Sequence, residues 1–299
     1  MHAIPYCLGP VTTGPDRYEL MARFLVDTFP DAHGGLAYRR ELEGLRRGEQ
    51  RLHRTAGDYE RVVLWMEHDS WDQLVLVRLL AHYANGKRPR VLELIAADEF
   101  PGSQRYIGLG QLPSEALRLL WPSRKPVTPA QLNAWNALAS DDPQPLATIA
   151  RSGTPALPIM ASALHRHLRE LPSVENVLRL TQHLALQILS EGGAFTLNRV
   201  WHLLQTEPEP LPWIGDLGLL QSNRCTKRPS LFSAGFLPRP VRAHFFSSSA
   251  SPTSAAVLRG ERDWHSLRPP SRWVGGVHNQ PGVAGWRWDD AKHDAVFQQ

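Results

Sequence analysis

The chain alternates between stretches with two different periods of apolar residues. Residues 62–66 (VVLWM) are a short continuous apolar run, the signature of a strand buried on both faces. Residues 71–83 follow, with Leu74, Val75, Leu79 and Leu80 at helical spacing, and Asn85-Gly86 ends that helix. Residues 90–97 (RVLELIAA) repeat the strand pattern. Helical spacing also marks residues 16–28, through Leu20, Met21, Phe24 and Leu25. It marks residues 38–55 through Leu42, Leu45 and Leu52. Helices are predicted at 113–121 (opened by a proline), 129–139, 143–151 and 157–171. Strand, helix, strand, helix predicts an α/β fold, with a parallel, Rossmann-like sheet covered on both faces. Two strands are few for such a sheet. The HAIPY segment near the start reads as the tail of another, and a first strand is expected to be missing.

After Pro172 the pattern changes. Helices at 174–190, 196–205 and 213–221, with Gly192-Gly193 between the first two, predict a helical, helix-turn-helix or winged-helix-like module. The expected domains are therefore residues 1–172 (α/β), 173–221 (the module), 222–254 (a linker) and 255–299. The last piece is rich in Trp and Gly. Trp264, Trp273, Trp286 and Trp288 are its expected core anchors, covered by packing on the module. Residues 222–254 hold eight serines, four prolines and no acidic residue. The expectation is a segment without regular structure that packs on nothing, either a disordered linker or the product of a compensated frameshift. Phe232, Phe236, Phe245 and Phe246 count against that expectation.

Charge changes this picture less than its total suggests. The net charge of +4 contains five cations from residues 222–254: Arg224, Lys227, Arg228, Arg239 and Arg242. Removing them leaves −1. The basicity is local, and the helix at 196–205 carries only Arg199 and His202, so strong nucleic-acid binding is not supported. Cys7 and Cys225 provide no disulfide framework, no apolar run is long enough to span a bilayer, and no secretory signal precedes the fold. A cytoplasmic protein with no membrane partner is expected.

The candidate chemistry sits where the first strand meets its helix: Glu67, His68, Asp69, Ser70, Trp71, Asp72 and Gln73. In parallel sheets ligands bind beyond the carboxyl ends of strands, and Asp98 follows the next strand toward the same edge. One reading is helix capping, with Ser70 as N-cap, Gln73 three positions on and Asp72 at the positive helix end. That leaves Glu67, His68 and Asp69 unexplained. As a site, Glu67, His68 and Asp69 are the catalytic candidates, a carboxylate beside a histidine being suited to acid–base work. Asp72, Gln73 and Asp98 are the ligand-binding candidates. The carboxylates repel a bare phosphate. Glu67, Asp69 and Asp98 would suit a divalent metal, the one cofactor the pattern suggests. Gly108-Leu109-Gly110-Gln111, ahead of a proline-opened helix, is either a plain turn or a close-approach loop for a phosphate. His165 and His167 lie two apart and share no helix face, so they are not a metal pair. Arg166 and Glu170 are expected to form a surface ion pair.

Several of these stretches have a family resemblance. VVLWMEHDSWDQL (62–74), FPGSQRYIGLGQL (100–112), LPIMASALHRHLRELPS (157–173), SRWVGGVH (271–278) and WRWD (286–289) resemble, in that order, bacterial proteins of the DUF-1835 family. The resemblance covers residues 4–221 and 256–290. It implies an N-terminal α/β domain and a winged-helix-like C-terminal part, and no established activity. Family members begin with a strand and a Gly-Asp-Ser-type turn that this chain lacks. They carry a Gly-Leu-Ser-Arg-Thr-Glu run where this chain has Val177-Leu178-Arg179-Leu180-Thr181-Gln182. Between 221 and 255 there is no similarity. Three functions are compatible with these observations: a small-ligand or metal-binding protein, enzymatic or not; a regulator contacting DNA or a protein through the C-terminal module; and a truncated chain without function.

Overall fold

The computed structural model describes residues 4–29, 37–128, 134–192, 195–206, 208–211, 232–234, 247–250, 252–267 and 269–298. The chain divides into two compact units, Met1–His167 with Trp273–Val277, and Leu168–Arg272 with His278–Gln299.

The first unit is built around one βαβ crossover. Strand β1 (Arg61–Glu67) runs parallel to β2 (Val91–Ala97), in register from Arg61 opposite Val91 to Glu67 opposite Ala97. Helices α1 (Ile4–Leu8), α2 (Arg17–Thr28) and α3 (Tyr38–Asp58) precede β1, and α4 (Ser70–Asn85) is the crossover. A crossover helix is what parallel neighbours require, since a hairpin cannot join them. Helix α4 is apolar on most of its circumference, with Leu74, Leu76, Val77 and Leu80 at most 1 % exposed. Burying each such side chain stabilises the unit by roughly 1.5–3 kcal/mol. The sheet is mixed, not purely parallel. A two-residue strand β3 (Lys125–Pro126) pairs antiparallel with β2, giving the order β1-β2-β3. Proline is tolerated there because β3 is an edge.

The described part of HAIPY, from Ile4 on, is helical and not a strand, and residues 2–3 lie outside the described residues. Ile4–Leu8 is a helical turn with Pro5, Tyr6 and Cys7 buried, packed against α4. Proline within the first turn of a helix sacrifices no hydrogen bond. Helix α5 (Ser114–Leu120) falls within its predicted span. Of the helix predicted at 129–139, Ala134–Leu138 (α6) is described and 129–133 lies outside the described residues. Helices α7 (Gln144–Ser152) and α8 (Pro158–Leu168) follow. Arg166 and Glu170 are not at the surface: they are 1 % and 4 % exposed. The Glu170 carboxylate accepts hydrogen bonds from the Thr181 backbone N–H, the Thr181 hydroxyl and Arg179. Trp273–Val277 belongs to the first unit through the Gly275-Gly276 tip between β7 (Arg272–Val274) and β8 (Val277–Asn279). Val11 N–H donates to the Gly275 carbonyl and Gly276 N–H donates to the Leu138 carbonyl. A Cβ on Gly276 would sit 2.3 Å from the Ala139 carbonyl oxygen, so only glycine permits the approach.

In the second unit α9 (Leu180–Gly192) is shorter than the helix predicted at 174–190. Val177 has φ 66°, a left-handed conformation that a β-branched residue rarely adopts, and Ser173 N–H bonds to the Leu178 carbonyl. The segment 174–179 is therefore a turn. Strand β4 (Phe195–Thr196) leads into α10 (Leu197–Thr206), and the helix expected at 213–221 lies outside the described residues. Part of the segment expected to lack regular structure has it. β5 (Phe232–Ala234) and β6 (Ser247–Ala250) are strands of an antiparallel sheet ordered β4-β6-β5, and a helix begins at Pro252. Strand pairing satisfies their backbone polar groups whatever the composition around them. The rest of 222–254, with Phe236, Phe245 and Phe246, lies outside the described residues.

Leu178, Ala185, Leu186, Leu189, Val200, Leu204, Val257 and Trp264 form the core of this unit. Trp288, on β9 (Gly285–Asp289), is 2 % exposed. Its backbone bonds to Pro172 and Val174, and its indole N–H donates to Asp290. Trp286 stacks edge-on against Phe297 of β10 (Asp294–Gln298). Trp264 and Trp288 are buried as expected of anchors, while Trp273 and Trp286 are half-buried. Among the described residues, no helix is long and apolar enough to cross a membrane.

Candidate functional site

The parallel register brings Glu67 opposite Ala97, so the residues after β1 and those after β2 emerge at one edge. Most of the polar groups there are bonded to each other and to the loop above. Asp69, not Ser70, is the N-cap of α4: its Oδ1 accepts from the Asp72 N–H at 2.7 Å. Asp72 reaches back, its Oδ2 accepting from the Glu67 N–H at 2.8 Å, and Gln73 Nε2 donates to the Glu67 carbonyl. The cap is displaced by one residue from the sequence expectation, and Asp72 accepts from Glu67, two residues ahead of the N-cap, so the capping box expected of Ser70 and Gln73 does not form. Ser70, freed from capping, donates its hydroxyl to the Ala163 carbonyl at 2.9 Å in the buried interior and ties α4 to α8.

The glycine loop also has a partner, and it is not a phosphate. Glu67 Oε1 accepts from the Leu109 N–H at 2.6 Å. A Cβ on Gly108 would lie 2.3 Å from Glu67 Oε2. The loop is thus a close-approach loop whose anion is the protein's own carboxylate. Gln111 holds it from within, its Oε1 accepting from Ile107 and Gly108. Gly110 and Gln111 are exposed.

Electrostatics follow from burial without a cation. Asp69 is pushed up to about 8, chiefly by burial and further by the charges of Asp72 and Glu67, against the Asp72 and Trp71 N–H groups. Burial also raises Asp72 and Glu67, each opposed by the backbone N–H it accepts from. Burial lowers His68, so its neutral form is favoured. Burial raises the thiol of Cys7, with Asp69 and Asp72 adding to it, so this free cysteine is a packed apolar side chain and not a nucleophile.

Two groups remain without internal partners. His68 Nδ1 and the Tyr106 hydroxyl are buried and make no hydrogen bond among the described residues. Their rings are 5.6 Å apart. Tyr106 is pushed up to about 12 by burial and then by Glu67, Asp72, Asp98 and Asp69, so it stands within the reach of all four acids. Sequence reasoning passed over Tyr106. It lies in an irregular loop whose apolar pattern carries no period, and only the fold brings it to His68. Asp98 is exposed at the end of β2 and acts on both His68 and Tyr106.

Glu67, Asp69 and Asp98 do not form the metal set expected of them. Among the described residues, the group of three potential ligands within 4.8 Å of one another is Glu49, His53 and His82. Glu67 and Asp69 are committed to backbone N–H groups, and Asp98 points into solvent. No family model matches the chain, and no match was found among curated proteins or solved structures.

Proposed function

We propose that this chain is an α/β protein of the DUF-1835 type whose first unit is Rossmann-like and binds a small polar ligand at the join Glu67–Gln73. The observation that carries this reading is the pair of unsatisfied buried atoms, His68 Nδ1 and Tyr106 Oη. An unpaired buried polar group costs about 1–3 kcal/mol. A ligand hydroxyl or amide placed between them would relieve both. The β1–α4–β2 crossover supports the Rossmann-like reading, because ligands of such sheets bind at this edge. The surrounding acids exclude a bare phosphate. Asp69, with its proton held to about pH 8, and neutral His68 supply a donor and an acceptor side by side. A thermal-shift screen of neutral polar metabolites in the presence of chelator tests the reading, using wild type and Tyr106→Phe. The expected result is a ligand that stabilises wild type and not the variant. A panel without hits, or hits that persist in the variant, overturns it.

A second reading concerns the other unit. The order α9-β4-α10 followed by β5 and β6, with the sheet ordered β4-β6-β5, supports a winged helix. Such a module contacts DNA or a protein. A gel shift with random duplex across a salt series tests this. No shift at low salt removes the nucleic-acid version.

A further inference from the structure

The second cluster of ionisable groups in the first unit uses neither β1 nor its loop. Glu49 and His53 lie one turn apart on α3, and His82 reaches them from the last turn of α4. Helical spacing of four places two side chains on one face, the geometry of a chelating pair. The potential ligand atoms of the three lie within 4.8 Å of one another, and the two imidazole rings are 4.8 Å apart. His53 Nε2 is 3.3 Å from Glu49 Oε1. All three line an open cavity of about 340 Å³, together with Arg17, Arg78 and Trp135.

We propose that Glu49, His53 and His82 bind a divalent transition metal such as Zn²⁺, with the fourth position open to the cavity. Two imidazoles and a carboxylate are a donor set for zinc and its neighbours, and three protein ligands with one open position is the arrangement of a reactive site. His82 has the support such ligands need. Its ring packs edge-on against those of His53 and Tyr83, which fixes the imidazole's orientation. Arg78 Nη2 holds Glu49 Oε1 at 2.6 Å, with Arg17 at 3.7 Å, so the carboxylate is oriented before any metal arrives. The same guanidiniums oppose a second cation, and a small anion or hydroxide in the open position would balance them.

Co²⁺ titration of the chelator-stripped full chain, followed by visible absorption, is the direct test, with Zn²⁺ as competitor and as ligand in thermal melts. Wild type is expected to take up one equivalent with tetrahedral Co²⁺ bands that Zn²⁺ abolishes, and Zn²⁺ is expected to raise its Tm. His53→Ala is expected to weaken binding at least tenfold and to lose the Zn²⁺-dependent rise. The His53 side chain is 64 % exposed, so this variant tests the site without disturbing the core. Tyr106→Phe is expected to bind metal as wild type does, which separates this site from the one at Glu67–Gln73. Absence of the bands in wild type overturns the proposal. So does a His53→Ala variant that binds as tightly, because the metal would then sit on other histidines.

Discussion

The half-buried carboxylates at two places in the first unit are shifted in opposite directions. At the β1–α4 join Glu67, Asp69 and Asp72 meet backbone N–H groups and one another, and burial drives all three upward, Asp69 to about 8. On α3 burial also opposes the charge of Glu49, yet Arg78, Tyr18 and Arg17 together hold it below the ordinary carboxylate value. Burial alone therefore does not decide whether an acid stays charged in this fold; a guanidinium at 2.6 Å does. In the first cluster Asp69 is where a proton resides at neutral pH. The second is a preformed anion with a cation already on one side.

The largest effect should come from breaking the second cluster. Arg78→Ala leaves Glu49 short of its nearest cation, and removing one partner of a buried pair costs about 3–5 kcal/mol. Chemical denaturation should show that loss at neutral pH. A change below 1 kcal/mol would mean that Arg17 alone suffices. The first cluster should respond in the opposite sense. Asp69 has a folded value above its unfolded one, so its contribution to stability is complete below about pH 4 and is lost as pH rises toward 8. Wild type should lose up to about 1.4 kcal/mol per pH unit across that window. Asp69→Asn keeps a competent cap and has no proton to lose, so its stability should be flatter between pH 5 and 8. Parallel pH curves for the two proteins would refute the protonated state.

Smaller effects sharpen the comparison further. Gly108→Ala forces a methyl group against Glu67 Oε2 and should cost about 1–3 kcal/mol, with faster exchange of the Leu109 amide as the specific readout. Ser70→Ala leaves the buried Ala163 carbonyl without its donor and should cost about 1–2 kcal/mol in the same denaturation assay. The exposed pair Arg90–Glu60, at 2.7 Å with both side chains more than two-thirds exposed, marks the lower end. Arg90→Ala should change stability by less than about 0.5 kcal/mol, because solvent screens the pair.

The sequence by itself determined the periodic elements. β1, α4 and β2 follow from apolar runs and helical spacing, and Asn85-Gly86 ended α4 where expected, because local periodicity reports which face is buried. It also marked the join after β1 as unusually charged. Tertiary structure decided what those charges do. Whether Asp69 or Ser70 caps α4 depends on Ser70 finding the Ala163 carbonyl, 93 residues away. The glycine loop was legible only as either a plain turn or a close-approach loop for a phosphate, and its anion is Glu67, 42 residues away. Pro5 and its neighbours gave a strand reading because five residues carry too little period to separate a strand tail from a helical turn. β5 and β6 were hidden because their composition resembles a linker, and they are strands only through pairing, β6 with β4 and β5 with β6. Tyr106 and His82 acquire their neighbours only when helices and loops distant in the chain fold together. Periodicity is a local property, whereas hydrogen-bond partners and charge neighbours are set by packing between segments far apart in sequence.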